Sequence, residues 1–253
     1  MIISNSNSKI KLIRSLSSKK QRYKYKKYLV EGLQISKDYL KFSENIEFAL
    51  ISEDFDKIEE LYNIEEDLEI YTTTNDIFDK ISDTKNNQGI ILVVDFEEYN
   101  IEDILEKNAI IVIDGIQDPG NLGTIIRTSD SLNIGGIITL ENTTDLYNSK
   151  TVRASMGSIA RIPIIRTDEN KTTIRRLREN KYNLLASTPR YRTNINDINK
   201  ICKNALFIGN EAKGISKNVL KECDNFVGIE MKGDVESLNA AVAAGILIYK
   251  LME

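Results

Sequence analysis

Short, unbroken apolar runs alternate with helical segments through the second half of the chain. The first run, Ile110–Ile113, is followed by a polar loop, an apolar-patterned helix at Leu122–Leu132, and a second apolar run after Gly135-Gly136. Such runs are typical of strands that are buried on both faces of a parallel sheet. The alternation predicts an α/β domain. Later strands are predicted at Ile162–Ile165, Tyr182–Ala186, Ala205–Ile208 and Phe226–Ile229, and helices at Ser149–Ile159, Thr172–Glu179 and from Ser237 onward.

The first half predicts a smaller α/β unit over residues 29–94, which is long enough to fold independently. An acidic stretch, 95–108, separates the two patterns. We therefore expect a first domain at 1–97, a linker at 98–108 and a second domain at 109–253. Within the smaller unit, helices are expected at Glu31–Lys41, Phe55–Tyr62 and Asn75–Ser82, and strands at Phe48–Ile51, Leu68–Tyr71 and Gly89–Val94.

Charge is distributed unevenly. The chain has a formal net charge of −4, but residues 1–30 hold nine Lys or Arg and no acid, whereas residues 44–79 hold thirteen acids and one Lys. Basic residues bind phosphates, and the interleaved Tyr23, Tyr25 and Tyr28 could stack on unpaired bases, which favours an RNA-binding arm. The alternative is a solvated charged helix whose tyrosines pack on their own domain. A second basic cluster, 171–192, allows the same two interpretations.

Composition excludes several classes of function. The chain has no histidine, so His-based catalytic triads, His general bases and His metal sites are excluded, and we expect no metal. The two cysteines, Cys202 and Cys223, have no CxxC partner and are expected to be reduced thiols. No apolar run approaches the length of a membrane span, and a signal core is lacking. These features favour a cytoplasmic protein.

Three loops follow predicted strand ends, at 117–121, 209–214 and 231–239, where ligands bind in open parallel sheets. We expect Asn121 to cap the following helix and Arg127 to reach back over Gly123, so that both form an anion site with the first-turn amides. A solvated arginine beside a Pro-Gly turn is the alternative. GxGxxG and P-loop patterns are absent. The residues alone predict an α/β protein that binds a compact ligand near an anion site.

The three loops resemble the three signature motifs of the SpoU/TrmH RNA ribose methyltransferases, of the SPOUT class. Asp118-Pro119-Gly120-Asn121-Leu122-Gly123 with Arg127 is similar to the first, and Ile208-Gly209-Asn210-Glu211-x-x-Gly214 to the second. Ile229-x-Met231 with Ser237-Leu238-Asn239-x-Ala241-x-Ala243 is similar to the third. Lys19-Lys20-x-Arg22 and Leu29–Gly32 more loosely resemble the family's ribosomal-protein-like substrate-binding domain.

The resemblance implies a parallel-sheet α/β domain with a deep C-terminal trefoil knot, a homodimer with its active site near the subunit interface, and S-adenosylmethionine as cofactor. It implies transfer of a methyl group to a ribose 2′-hydroxyl, in ribosomal RNA or alternatively in transfer RNA; a non-catalytic RNA-binding or ribosome-assembly factor is a third possibility. The implied catalytic-site residues are Asn121, Arg127, Glu211, Ser237 and Asn239. The implied cofactor-binding residues are Thr188, Gly209, Gly214, Ile229, Met231 and Leu238, and the implied RNA-binding residues are Lys19, Lys20 and Arg22.

Individual roles follow from this resemblance and from side-chain chemistry. We expect Arg127 to clamp a phosphate rather than act as a base, because a guanidinium stays protonated, and this leaves the proton acceptor open. Asn121 is expected to orient Arg127 or the ribose. The second motif usually continues Glu-Gly-x-Gly, so Ala212 would be strained if its position requires a positive φ.

Overall fold

A computed structural model describes residues 4–65, 67–189, 193–199, 201–234 and 237–253. The chain forms two compact units: Met1–Glu97 with Asp145–Arg161, and Glu98–Thr144 with Ile162–Glu253. This division differs from the expected domains in two places. Residues 145–161 belong to the first unit, although they lie inside the range 109–253. Residues 98–108 belong to the second unit and are not a separate linker.

The first unit contains a mixed sheet with strand order β1-β4-β2-β3. β1 and β2 each pair antiparallel with β4, and β3 pairs parallel with β2. The strands are β1 (Lys27–Glu31), β2 (Ile46–Ser52), β3 (Ile70–Thr73) and β4 (Ile90–Asp95). The helices are α1 (Ser8–Ser15), α2 (Lys19–Tyr25), α3 (Leu33–Phe42), α4 (Ile58–Tyr62), α5 (Asn75–Ile81) and α7 (Ser149–Ser155), which is followed by a 3-10 turn at Ser158–Ala160.

The N-terminal segment is a folded part of this unit and not an extended arm. Ile10, Ile13 and Leu16 lie on one side of α1, are buried, and join Phe48 and Leu50 of β2 in the core. Their spacing of three residues is the apolar stripe that a helix needs to dock on a sheet. The basic side chains of α1 and α2 are therefore presented by a packed scaffold.

Two charged side chains tie this unit together. Arg22 is 6% exposed and donates to Asp145 Oδ2 at 2.6 Å and to the Leu16 carbonyl at 2.8 Å. Glu31 is 9% exposed and accepts from the backbone nitrogen of Asp83 at 3.1 Å and from the Thr84 hydroxyl at 2.5 Å. A buried charge persists only when it is paired with an opposite charge, as in Arg22, or hydrogen-bonded by several donors, as in Glu31. Both residues therefore stabilise the fold of the unit.

The second unit is built on a parallel sheet whose described strands have the order β7-β6-β5-β10-β8-β11-β9. The strands are β5 (Ala109–Asp114), β6 (Ile137–Thr139), β7 (Ile164–Arg166), β8 (Asn183–Ser187), β9 (Thr193–Asn194), β10 (Asn204–Gly209) and β11 (Asn225–Gly228). The helices are α6 (Pro119–Ser131), α8 (Asn170–Glu179), α9 (Lys217–Leu220) and α10 (Ala240–Met252), with 3-10 turns at Ile101–Asp103 and Ile195–Asp197.

The strand order reverses between β5 and β10, which are neighbours in the sheet although nearly a hundred residues separate them. Their registers pair Gly209 with Asp114, so both strands end at the same level. A ligand crevice forms where strand order reverses, outside the carboxyl ends of the strands. The first and second predicted loops leave the sheet at this position.

The segment 98–108 packs into the core of the second unit. Ile104 is fully buried and Leu105 nearly so. The Tyr182 hydroxyl donates to the carbonyls of Ile104 at 2.9 Å and Lys107 at 2.7 Å. The acidic composition of this segment suggested a linker, although its two buried apolar residues pack into the core.

None of the described helices is long and apolar enough to cross a membrane.

Candidate active site

The Glu211 carboxylate connects the two loops that leave β5 and β10. Its oxygens accept from the backbone nitrogens of Gln117 at 3.2 Å and Asp118 at 3.4 Å. They also accept from the side-chain amides of Asn121 at 2.9 Å and Asn210 at 3.5 Å. These four donors match the roughly four lone pairs that a carboxylate offers. Glu211 thus holds the first loop against the second.

Asn121 and Asn239 extend this connection to the third motif. Asn239 Nδ2 donates to Asn121 Oδ1 at 3.0 Å, and Asn239 Oδ1 accepts from the backbone nitrogens of Ala241 and Val242 at the start of α10. A carboxylate can only accept and a backbone N–H can only donate, so the two ends fix the orientation of both amides. The chain Glu211–Asn121–Asn239 thereby joins all three predicted motifs.

Glu211 remains ionised in this setting. Burial acts to raise its pKa, but the hydrogen bonds from Asn121 and from the backbone of Glu211, Gln117 and Asp118 outweigh burial and lower the pKa below the ordinary value. A carboxylate that accepts several hydrogen bonds is a weak base. Glu211 is therefore suited to fixing the loops and is a poor candidate for accepting a proton.

Two of the protein's own carboxylates, those of Asp118 and Glu211, accept from donors of the predicted anion site. The residue that caps α6 is Asp118, not Asn121, and its side chain accepts from the Asn121 backbone nitrogen at 2.9 Å. The helix begins at Pro119, which suits a first helical position because it lacks an N–H. Since Asn121 is engaged by Glu211 and Asn239, the prediction that Asn121 and Arg127 share one bound anion is wrong.

The second loop is a tight hairpin that requires glycine at its base. Asn210 and Gly214 exchange two backbone hydrogen bonds, at 3.1 and 2.9 Å. A Cβ on Gly209 would lie 2.2 Å from the Ile215 nitrogen, because the hairpin folds back over it. Gly214 has a φ of +68°. Ala212 is not among the described residues with positive φ, so the expected strain at this position is absent.

Asn210 was expected among the polar residues of the three loops but was given no role, and its side chain organises this hairpin. Its Oδ1 accepts from the backbone nitrogens of Ala212 at 3.0 Å and Lys213 at 2.9 Å, and its Nδ2 donates to the Gly115 carbonyl at 2.8 Å. The signal was available, because asparagine favours turns in which its side chain bonds the backbone two residues on.

A cavity of about 770 Å³ lies beside the hairpin. Its volume falls within the usual range of small-molecule sites, about 300–1,000 Å³. Two of the predicted catalytic-site residues, Glu211 and Ser237, also line it. All six residues predicted to bind cofactor line this cavity: Thr188, Gly209, Gly214, Ile229, Met231 and Leu238.

The small residues of α10 explain how backbone comes close to this cavity. Ala240, Ala243 and Ala244 line it. Gly245 lies toward α6, where an added Cβ would come within 3.8 Å of Thr128 Cγ2. The Ala-Gly run thus serves two contacts at once, and larger side chains would fill the cavity.

Arg127 lies on the exposed side of α6 and is not among the lining residues of the cavity. Within the described part of the chain, its guanidinium has no hydrogen bond or ion pair, and no hydrogen bond joins it to Asn121. The expectation that Asn121 orients Arg127 is therefore not met within this chain. The guanidinium is available to a group from outside the unit.

The predicted RNA-binding residues divide into two kinds. Lys19 and Lys20 are exposed. Arg22 is buried against Asp145, so its assignment to RNA is wrong: its donors are already used inside the unit. Tyr23 and Tyr28 also pack inside the unit, against Phe96, whereas Tyr25 is 43% exposed.

Three arginines of the second basic cluster, all on α8, lie close to acids of the same unit. Arg176 pairs with Glu102 at 2.5 Å, and Arg178 with Asp224 at 3.4 Å. Arg175 lies 3.7 Å from Glu179. This pairing favours the interpretation of α8 as a structural surface. Two further members, Arg190 and Arg192, lie outside the described residues.

Comparison with known proteins agrees with this geometry. The model of the SpoU rRNA methylase family matches residues 108–249, and that of the MRM3-like substrate binding domain matches residues 7–92. The chain is similar to the 23S rRNA (guanosine(2553)-2′-O)-methyltransferase RlmP of Bacillus subtilis, with 31% identity over 99% of this chain and 98% of the relative.

Solved structures resemble the whole chain. The AdoMet-bound rRNA methyltransferase of Sinorhizobium meliloti has a TM-score of 0.88 and 28% identity, over 99% of this chain and 96% of that one. AviRb of Streptomyces viridochromogenes, solved with AdoMet, shares the fold with a TM-score of 0.88 at 23% identity, over 97% of each chain. Given the family match over more than half of its length and a full-length relative, the chain belongs to the SpoU rRNA methylase family.

Proposed function

We propose that this protein transfers the methyl group of S-adenosylmethionine to a ribose 2′-hydroxyl of 23S ribosomal RNA. The observation that carries the proposal is the chain Glu211–Asn121–Asn239, which joins the three motif loops beside a cavity of small-molecule size. A non-catalytic RNA-binding factor has no need for this arrangement. The full-length similarity to a 23S rRNA methyltransferase favours ribosomal over transfer RNA.

The cavity suits S-adenosylmethionine. Its walls combine backbone at Gly209 and Gly228 with apolar side chains such as Ile229 and Leu238, and its size accommodates a nucleoside with an amino-acid tail. At Gly209 an added Cβ would collide with the hairpin backbone, so this wall depends on glycine. When bound, the cofactor supplies an electrophilic methyl group. The residues proposed to hold it are Thr188, Gly209, Gly214, Ile229, Met231 and Leu238.

The residues around the cavity contribute positioning. Holding the reacting groups in an aligned geometry can supply several kcal/mol of the barrier reduction, up to about 7–11 kcal/mol. Glu211, Asn121 and Asn239 keep the loops rigid, and Ser237 lies at the lining with Glu211. A guanidinium is a cation that matches phosphate geometry, so we assign Arg127 to the RNA phosphate beside the target ribose.

We further propose a homodimer formed through the exposed apolar face of α10. Val242, Ile246 and Tyr249 recur at helical spacing and are 52%, 39% and 54% exposed. An apolar stripe left in water at this spacing usually meets a partner. Because Thr128 lies next to Gly245, a second subunit on this face would come close to the exposed side of α6 and Arg127.

Val242→Glu should convert the dimer to monomers in light scattering, and a monomeric wild-type protein would remove this part of the proposal.

The deep trefoil knot belongs to the same proposal, supported by the family membership and by the close backbone packing at Gly209. We place the protein in the cytoplasm because ribosomal RNA is its proposed substrate.

The first unit is proposed to bind the RNA. Lys11, Arg14, Lys19, Lys20 and Lys24 are exposed on α1 and α2, and within the described part of the chain none of them forms an ion pair. Clustered cations on a packed scaffold suit a phosphate backbone. The family match of this region to a substrate-binding domain supports the assignment.

Methyl transfer from labelled S-adenosylmethionine tests the function directly. The acceptors are an unmodified 23S rRNA transcript, a transfer RNA pool and a 23S transcript that carries 2′-deoxyribose at the nucleotide found to be methylated in the first acceptor. We expect label in the first acceptor only. Transfer to transfer RNA alone would identify the wrong substrate, and RNA binding without transfer to any acceptor would identify a non-catalytic factor.

A further inference from the structure

The lining of the cavity contains little charge. Among the described residues that form it, the ionisable side chains are those of Glu211 and Lys213. Glu211 is engaged by donors from the loops around it. The Lys213 ammonium forms no ion pair or hydrogen bond with any described residue. The cavity therefore presents one uncommitted charge, and that charge is positive.

The backbone holds Lys213 at a fixed place on the cavity rim. The backbone nitrogen of Lys213 donates to Asn210 Oδ1 at 2.9 Å, inside a hairpin closed by two backbone hydrogen bonds between Asn210 and Gly214. The side chain itself is exposed. A cation anchored at its backbone and free at its tip can meet a ligand anion without first breaking an internal contact.

S-adenosylmethionine carries one anionic group, the carboxylate of its amino-acid tail. An anion that leaves water needs a paired charge, since its desolvation is otherwise costly. The other lining side chains are neutral or, at Glu211, negative. We propose that the Lys213 ammonium is the counter-ion of the cofactor carboxylate. This inference rests on the proposed function, and it assigns Lys213 to the cofactor rather than to the RNA.

Two ligands separate the amino-acid tail, with its carboxylate and its ammonium, from the rest of the cofactor. S-adenosylhomocysteine has the amino-acid tail, whereas 5′-methylthioadenosine has the same adenosine thioether without it. Calorimetric titration of wild type and Lys213→Gln with both ligands measures the pairing. We expect Lys213→Gln to weaken S-adenosylhomocysteine binding by roughly two- to fivefold, the range for an exposed ion pair, and to leave 5′-methylthioadenosine binding unchanged.

Two further variants control for charge and for position. Lys213→Arg keeps the cation and should retain most of the S-adenosylhomocysteine affinity. Lys217→Gln removes an exposed lysine that does not line the cavity, and it should change neither affinity. Added salt should reduce the difference between wild type and Lys213→Gln, because exposed charges are screened.

Each other outcome overturns the proposal in a recognisable way. Equal weakening of both ligands by Lys213→Gln would mean that the lysine only shapes the hairpin. Unchanged affinity for both, with a raised KM for 23S rRNA, would assign the lysine to a phosphodiester. If wild type bound neither ligand and transferred no methyl group, the proposed function itself would fail, whereas active wild type with an unaffected variant removes only the role of Lys213.

Discussion

Replacing Gly209 by alanine should damage the cofactor cavity more than any other single methyl group in the hairpin. The added Cβ would lie 2.2 Å from the Ile215 nitrogen and 2.4 Å from the Gly214 carbonyl carbon. Both clashes are with backbone, which cannot rotate away as a side chain would. The hairpin must therefore shift by about 1.2 Å or more to restore an ordinary van der Waals distance of at least 3.4 Å.

The free-energy cost follows from these clashes. Inserting a methyl group into packed surroundings typically costs about 1–3 kcal/mol. A shift of the hairpin also strains the two backbone hydrogen bonds between Asn210 and Gly214, each of which contributes about 1 kcal/mol. We expect a total near 2–3 kcal/mol, which corresponds to a Tm lower by about 5–10 °C for a domain of this size.

The assay combines thermal unfolding with titration of S-adenosylhomocysteine. Because the hairpin is a wall of the cavity, Gly209→Ala should weaken binding by about tenfold or more, equivalent to at least about 1.4 kcal/mol. Two glycines in the same region are matched controls. Gly214→Ala meets no atom within 4 Å but has a φ of +68°, so it should cost only about 1 kcal/mol. Gly233→Ala meets no atom of the described residues within 4 Å and should be neutral.

The order of the three variants in Tm and in ligand affinity tests whether a steric conflict at Gly209 explains the requirement for glycine. Steric conflict at the base of the hairpin requires Gly209→Ala to be the most destabilised and the weakest binder. Wild-type affinity and Tm in Gly209→Ala would refute the close backbone approach. Equal effects at Gly209 and Gly214 would attribute the requirement for glycine to backbone conformation instead.

Three further predictions concern charge. Because the pKa of Glu211 is lowered on folding, its ionised form stabilises the fold above the unfolded pKa of 4.5, and this contribution disappears as the pH falls through the folded pKa. In urea unfolding, the loss of stability caused by Glu211→Gln should therefore be complete near neutral pH and should become smaller in acid. A loss of stability that became larger in acid would contradict this. Arg22→Met should destabilise the protein by about 3–5 kcal/mol by leaving Asp145 buried without its cation, and a change below about 1 kcal/mol would mean that the pair is not buried in solution. The double variant Lys19→Gln, Lys20→Gln should bind 23S rRNA with a weaker salt dependence: the slope of log K against log salt concentration should fall in magnitude by about 0.7–0.9 for each phosphate that the two lysines neutralise. An unchanged slope would mean that these lysines do not contact the RNA.

Six of the seven described strands of the second unit were predictable because they coincide with short apolar segments, whereas the polar β9 (Thr193–Asn194) was not predicted. Ile110–Ile113 lies within β5, and Ala205–Ile208 lies within β10. β1 was missed, because Lys27–Glu31 has only three apolar residues between two charged ends and continues a basic segment. Its identity as a strand depends on pairing with β4, more than sixty residues later. Local pattern contains no information about that partner.

The site was predictable as a set of loops but not as a network. Spacing placed the motif residues at strand ends, and the structure gathers the six expected cofactor-binding residues around one cavity. The Asn121 side-chain amide, which was expected to bind an external anion, donates to Glu211, ninety residues away. Arg22 was misassigned for the same reason, since Asp145 lies 123 residues away. Such long-range pairing of charges decides whether a basic residue faces solvent or the core.

The proposed methyl transfer is tested most directly by mapping 2′-O-methylation across ribosomal and transfer RNA in cells with and without this protein. Complementation uses the wild type and Arg127→Ala, whose exposed side chain lacks internal partners in the described structure, so that its removal should leave the fold intact. We predict one 23S rRNA ribose that is unmethylated without the protein and is restored by the wild type but not by Arg127→Ala. An unchanged methylation map in cells that lack the protein would contradict the account.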